Sequence, residues 1–218
     1  MTSPHWRLVA DDLCCITADR NAAALAEALA EAFGDSGEWL DVVCGRDTVF
    51  VQFDPSKIDQ HGALERLRSF GRSTAGHGGS ADCMMIPACY HASVAPDLLA
   101  TCELLGVSLD EFIERHSGGD HRVAMLGFMP GFAYIDGLDA SLRVSRLDQP
   151  RQQVAAGAIG LAGRQTGIYP SIGPGGWRLV ARTPLRLFDV TAAPPALLQP
   201  MQRVRFVPIT LDEFEAAR

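Results

Sequence analysis

Short apolar segments alternate with polar, glycine-marked breaks along this chain, and the spacing of the apolar positions changes from one segment to the next. Residues 6–16 are mostly apolar and predict a first strand. Between residues 21 and 33, Leu25, Ala28, Leu29, Ala32 and Phe33 share one helical stripe that Gly34 closes. Trp39–Cys44 and Thr48–Phe53 read as strands joined by the turn Gly45-Arg46-Asp47. Asp54-Pro55-Ser56 opens a second helix, with Ile58, Leu64, Leu67 and Phe70 inward and Gly71 at its end. The order β-α-β-β-α predicts a small ferredoxin-like α/β domain over residues 1–80. Its last part, residues 71–82, is rich in glycine and serine without apolar period, and reads as a linker carrying a solvated His77.

Beyond the linker, residues 84–90 resume a β-like run interrupted by Pro87. Residues 96–105 predict a short helix with proline at its start and Gly106 at its end. Ser108-Leu109-Asp110-Glu111 is a capping box, so another helix begins there, runs to about His116 and stops at Ser117-Gly118-Gly119. Residues 122–128 are nearly continuously apolar, as in a strand buried on both faces. Residues 177–183 and 203–207 alternate apolar with arginine, the pattern of half-buried antiparallel strands. Thr210-Leu211-Asp212-Glu213 caps a terminal helix. Short strands with glycine and proline punctuation predict a β-barrel or sandwich over residues 83–218, and an α+β class for the whole.

Composition narrows the functional classes. The 218 residues are 47% hydrophobic and 21% charged, enough for a substantial core. No run has the length of a membrane span and the first residues lack a signal-peptide pattern, so the expected location is cytoplasmic, without a membrane partner. A net charge of −7 disfavours nucleic acid. That charge is uneven: residues 143–205 carry nine arginines against Asp148 and Asp189. Most of these arginines read as rows on a solvated sheet face, with Arg151 set apart. Six cysteines show neither C-x-x-C nor zinc spacing and read as small buried hydrophobes, the adjacent Cys14 and Cys15 on opposite strand faces.

Residues 127–177 gather glycine, proline, aromatic residues and arginine in close clusters. Arg151, after Pro150, presents a planar fork suited to a carboxylate. Gln165 and Thr166 offer neutral donors and acceptors in a glycine-bounded turn. Phe128, Tyr134, Tyr169 and Trp177 supply apolar walls with some polar tips, so that together with Arg151 they outline a substrate pocket. His116 is a candidate proton donor or acceptor beside this stretch, which makes His116 and Arg151 the candidate catalytic residues. A metal site from His116, Asp120 and His121 is chemically conceivable. The preferred reading is a histidine bonding the last carbonyls of its helix plus a loop histidine, with no metal.

Several motifs are missing. The single lysine, Lys57, follows Pro55-Ser56 and belongs to no phosphate loop. Gly157, Gly160 and Gly163 give G-x-x-G-x-x-G, which is not the dinucleotide fingerprint and reads as close packing or bends in a barrel strand. Neither G-x-S-x-G nor H-E-x-x-H occurs. The chain is therefore not expected to bind a nucleotide or other cofactor by itself.

These residues resemble a known family. Residues 126–134 (Leu-Gly-Phe-Met-Pro-Gly-Phe-Ala-Tyr), Pro150-Arg151, Ala156-Gly157, residues 165–170 (Gln-Thr-Gly-Ile-Tyr-Pro) and Pro174-Gly175-Gly176-Trp177 are similar to the KipI family. Its members are also called allophanate hydrolase subunit 1, or the B subunit of 5-oxoprolinase. Ile86-Pro87 with Tyr90, Pro96-Asp97-Leu98, His116-Ser117, Arg182-Thr183-Pro184 and Leu187-Phe188-Asp189 extend the resemblance, which is strong over residues 84–208 and looser before the linker. It implies a C-terminal cyclophilin-like β-barrel behind a smaller N-terminal α/β domain. It also implies membership of an ATP-dependent, multi-subunit 5-oxoprolinase that opens 5-oxo-L-proline to L-glutamate. The implied partners are a paralogous C subunit (KipA-like, or allophanate hydrolase subunit 2-like) and an A subunit (LamB/YcsF-like), and ATP is used at the level of the complex. Two alternatives come with the family: an inhibitor of a sensor histidine kinase, and an allophanate hydrolase-type subunit. The chain departs from the family pattern at Arg164, at Ala155-Ala156 and at Ser171-Ile172-Gly173. Arg164 is expected to narrow or charge the pocket.

Overall fold

Two adjacent aspartates break the first apolar run. Residues 6–16, read as one strand, form β1 (Arg7–Ala10) and β2 (Leu13–Thr17), an antiparallel pair turning at Asp11-Asp12. Aspartate favours such turns because its side chain competes for the backbone's own hydrogen bonds. After α1 (Ala22–Phe33) come β3 (Trp39–Cys44), β4 (Thr48–Phe53) and α2 (Gln60–Phe70). The element order is thus β-β-α-β-β-α rather than the expected β-α-β-β-α. The second helix also starts later than expected: Asp54 Oδ1 accepts from the Ser56 backbone N–H (2.9 Å) and hydroxyl (2.6 Å), which holds a turn there. The sheet order is β1-β2-β4-β3 with every neighbour antiparallel, so β4 lies between the parallel strands β2 and β3. Leu29, Val49, Val51, Phe53, Ala63 and Leu67 form the buried centre of this layer.

The structure is a computed structural model that describes residues 5–18, 22–34, 36–70 and 83–218. The glycine- and serine-rich stretch 71–82, with His77, lies outside the described residues. The chain divides into two compact units, Met1–Gly79 and Ser80–Arg218.

The second unit begins with β5 (Cys83–Cys89), α3 (Leu98–Leu105) and α4 (Leu109–Ser117). Strands β6 (His121–Leu126), β7 (Ala133–Asp136), β8 (Arg151–Val154), β9 (Ala158–Ala162) and β10 (Gln165–Ile168) follow. Next come β11 (Gly173–Gly175), β12 (Arg178–Arg182), β13 (Arg203–Ile209) and the terminal helix α5 (Leu211–Ala216). Among the described residues β10, β7, β6, β13, β5, β12 and β9 close into a barrel in that order, and β8 pairs with β11 as a separate ribbon.

Closure depends on a parallel seam. β13 runs beside β5 from Arg203↔Cys83 to Ile209↔Cys89 and is antiparallel only to β6, so the expected purely antiparallel pairing of residues 203–207 does not hold. Pro87 is tolerated within β5 because β12 meets the other side of that strand only at Cys89, where a missing N–H at position 87 breaks no bond. β6 is half-buried, with Arg122 exposed and Val123 buried, rather than buried on both faces. β12 departs in the opposite sense. A register shift against β9 between Leu179 and Ala181 leaves Leu179, Val180 and Ala181 all buried, although alternation placed Val180 on the arginine side.

The helix ends follow local chemistry. Gly106 closes α3 in the left-handed conformation at φ 67°. Ser108 accepts from the Glu111 amide, but the Glu111 carboxylate pairs with Arg115, so only half of the expected box forms. Thr210 and Glu213 form both halves at α5. None of the six cysteines forms a disulfide among the described residues. Cys14 and Cys15 are both buried, the latter accepting from Arg7 Nε at 3.1 Å. Cys83, expected inside, is exposed at the start of β5. No helix of the described residues is long and apolar enough to cross a membrane.

Candidate functional site

Strand alternation divides the second unit into two apolar regions. Ala133, Ile135, Ile159, Leu161 and Ile168 fill the barrel with Val123, Val180 and Phe206. The intervening Tyr134, Ala158 and Ala162 face the other way and join Phe132, Val154, Tyr169, Trp177 and Leu179 in an outer layer. Its floor is bare backbone. Gly160 and Gly167 are partners across β9 and β10. A Cβ on Gly160 would stand 2.9 Å from the Trp177 Cβ, and one on Gly167 would stand 2.8 Å from Trp177 Cζ3. The close-packing reading of the spaced glycines therefore holds at Gly160, whereas Gly163 is a turn residue at φ 59°.

The aromatic residues expected to wall a pocket mostly fill one another. Phe132 meets Tyr169 at 5.0 Å and Trp177 at 5.6 Å edge to face, and Tyr134 meets Trp177 at 5.8 Å. Tyr169 and Trp177 are buried. Flat rings on a glycine floor bury more apolar area against each other than around an empty space, so a small second core replaces the expected cavity. Phe128 alone stands at the rim. It is 59% exposed with φ 68°, a left-handed backbone that a bulky residue adopts only under surrounding constraint. Ser171 Oγ lies 3.5 Å from Met129 Sδ, which joins this loop to the one ending at Trp177, where Ile172 is also exposed.

Arg151 opens β8 opposite Gly175. Its Nη2 donates to Asp97 Oδ1 at 2.6 Å, while Asp97 Oδ2 accepts the Leu179 N–H at 2.7 Å. The Asp97 N–H in turn donates to the Leu179 carbonyl at 3.0 Å. Arg151 Nη1 is buried without a hydrogen-bond partner among the described residues. A donor left in that state costs about 1–3 kcal/mol. The Tyr169 hydroxyl occupies the place where a Cβ on Gly175 would go. Burial raises its pKa, opposed by the Trp177 backbone amide and by the charges of Arg146 and Arg151. The Arg146 guanidinium lies 5.9 Å over the Trp177 ring. Two guanidinium groups and a buried phenol thus bear on one edge of the aromatic layer, an arrangement suited to a small anion with a flat body.

Asp97 did not stand out in the sequence as a site residue. An aspartate after proline at a helix start reads first as a cap, and only its contact with Arg151, 54 positions away, shows otherwise. Three other arginines of the basic stretch bond to backbone carbonyls. Arg178, Arg182 and Arg186 donate through Nε to the carbonyls of Ser145, Ala156 and Phe188. Arg164 is exposed in the turn between β9 and β10.

His116 lies elsewhere. It is wholly buried in the barrel, its ring 4.6 Å from Phe206 and 6.0 Å from Phe112, both stacked. Nδ1 is 2.6 Å from the Tyr90 hydroxyl and Nε2 is 3.1 Å from Thr166 Oγ1. Thr166 donates to the Gly160 carbonyl at 3.2 Å, so it accepts from Nε2–H, and Nδ1 accepts from Tyr90. Burial and then the neighbouring His121 push the His116 pKa down to about 3. A neutral, fully bonded ring inside a barrel is a packing element, and the expected catalytic role at this residue gives way to that finding. The last-carbonyl contact is made by His121, whose Nε2 meets the His116 carbonyl at 2.6 Å. With both His116 nitrogens engaged and Asp120 paired to Arg203, these residues do not converge on a metal. Gln165 and Thr166, expected side by side on a substrate, point to opposite faces of β10. Thr166 turns inward, and Gln165 donates to Asp136 Oδ1 at 2.8 Å.

A cleft of about 610 Å³ is lined by Glu111, Glu114, Arg115, Asp120, Asp139 and nearby glycines. It contains none of the residues singled out in the sequence as substrate-binding or catalytic.

The second unit is thus a closed barrel with an outer aromatic layer and a two-stranded ribbon. Residues 8–198 match the family model described as carboxyltransferase domain, subdomain C and D. The chain is 34% identical to the B subunit of 5-oxoprolinase from Escherichia coli O157:H7, covering 83% of both chains. It is 40% identical to the protein of the same name from Bacillus subtilis over 131 residues, 60% of this chain and 55% of that relative. The crystal structure of TTHA0988 superposes with a TM-score of 0.78 at 30% identity, covering 90% of this chain and 39% of that one. The match thus spans about half of the Bacillus relative and well under half of the TTHA0988 chain. The chain belongs to the KipI family of 5-oxoprolinase B subunits, within the carboxyltransferase subdomain C and D group.

Proposed function

We propose that this chain is the B subunit of an ATP-dependent 5-oxoprolinase complex that opens the lactam of 5-oxo-L-proline to L-glutamate. The observation that carries the proposal is the 34% identity to the Escherichia coli protein of that name over 83% of both chains. The site agrees in kind. Arg151 and Arg146 suit a carboxylate, and the aromatic edge suits a flat five-membered lactam. On this reading the chain acts with two partners, a paralogous KipA-like C subunit, together with a LamB/YcsF-like A subunit, and ATP is handled at the level of the complex. The barrel is then of cyclophilin type. The N-terminal sheet, with β4 inserted between β2 and β3, is a ferredoxin-like variant extended by the β1–β2 hairpin.

Deleting the encoding gene tests the proposal in the cell. Intracellular 5-oxo-L-proline rises in the deletion strain and returns to the parental level when the gene is restored. An unchanged pool in a strain with no other 5-oxoprolinase would contradict the assignment.

A further inference from the structure

An aspartate just before a helix ordinarily turns its carboxylate onto the helix's own free amides. Asp97 does not. Its backbone stands at φ −101°, ψ −1°, and no side-chain bond caps α3. Both carboxylate oxygens are used elsewhere, Oδ2 on the Leu179 amide and Oδ1 on Arg151 Nη2. A local preference given up at one position calls for a compensating role. Stapling α3 to β12 accounts for Oδ2. Oδ1 has a different consequence: it grips the Arg151 guanidinium at a single corner, where arginine and carboxylate commonly meet through two parallel bonds. Nη1 is left without a protein partner among the described residues. The backbone facing Arg151 across the ribbon is Gly175, whose Cβ position is taken by the Tyr169 hydroxyl, and the Arg151 side chain keeps 30% of its surface exposed. Arg146 and the Tyr169 hydroxyl complete the electrostatic surroundings.

We propose that Asp97 is a positioning residue that holds Arg151 in the orientation in which its free donors receive the carboxylate of a small cyclic amide acid. The inference rests on reading the chain as part of a 5-oxoprolinase, and it names the recognised group and the side chain that orients its receptor. Asp97→Asn isolates the effect, because asparagine keeps an acceptor for the Leu179 amide and removes the charge that fixes Arg151.

The test uses the reconstituted complex of this chain with its partner subunits. It compares the KM for 5-oxo-L-proline with the inhibition constant of the neutral analogue 5-oxo-L-prolinamide. D97N raises the KM by about tenfold, the scale of one charge-assisted hydrogen bond, by a larger factor than any fall in kcat. The inhibition constant of the amide, which carries no carboxylate, stays within about twofold. A KM that is unchanged or lower, or two constants that rise together, overturns the proposal. Should D97N fail to assemble, Arg151→Gln is read in the same way, and equal shifts in its two constants are equally fatal. A wild-type complex that does not turn over 5-oxo-L-proline would instead remove the functional assignment on which the inference stands.

Discussion

His116 shows how one buried polar residue is made compatible with a barrel core. Its ring receives the Tyr90 hydroxyl, donates to Thr166 and lies among Phe112, Phe206 and His121, so the neutral form is fully satisfied and the charged form is excluded. The folded chain holds its pKa at about 3, below the ordinary 6.5. Below pH 6.5 the unfolded chain therefore binds a proton that the native chain refuses. Stability from this group is complete above about pH 6.5 and declines as pH falls toward 3. His121, also shifted down by burial, acts in the same direction. The urea midpoint falls between pH 7 and pH 5, and His116→Gln flattens that dependence; an equally steep dependence in the variant would place the titration elsewhere. Thr166→Val removes the acceptor of Nε2–H and leaves that donor buried, at a cost of about 1–3 kcal/mol in urea unfolding at pH 7.5.

Among the elements, the pair β9 and β10 matters most, because its two glycines let Trp177 lie on the backbone. Gly160→Ala puts a methyl group 2.9 Å from the Trp177 Cβ, too close for a side chain tied at both ends. Overpacking of this kind costs about 1–3 kcal/mol, measurable as a lower thermal midpoint together with a shift in tryptophan emission. A variant with unchanged emission and stability would show that the layer is looser than described. Legibility follows the same division between local and distant causes. The Gly106 helix end and the Thr210–Glu213 cap were legible because adjacent residues determine them. The aromatic and glycine clusters of residues 127–177 were legible as a unit of special purpose. Their mutual filling was not, because it depends on which face of β7 and β10 each residue takes. The parallel seam of β5 and β13 and the Asp97–Arg151 pair join distant positions, and no local pattern records them. His116 read as a candidate proton donor or acceptor because it adjoins residues 127–177 in the chain, and its burial in the barrel depends on distant strands.

For the whole molecule, the proposed function places the rim and the arginine edge at the surface that meets its partners. The aromatic layer is closed on itself, its exposed rim is Phe128 and Ile172, and the arginine edge lies beside it. The region matched in TTHA0988 is 39% of that chain, and the proposed function requires partner subunits. The decisive measurement is ATP-dependent glutamate release from 5-oxo-L-proline by the purified subunits, assayed with this chain present, omitted and added back. The account predicts turnover with the full set, none above background on omission, and recovery on addition. Equal turnover with and without the chain would contradict it.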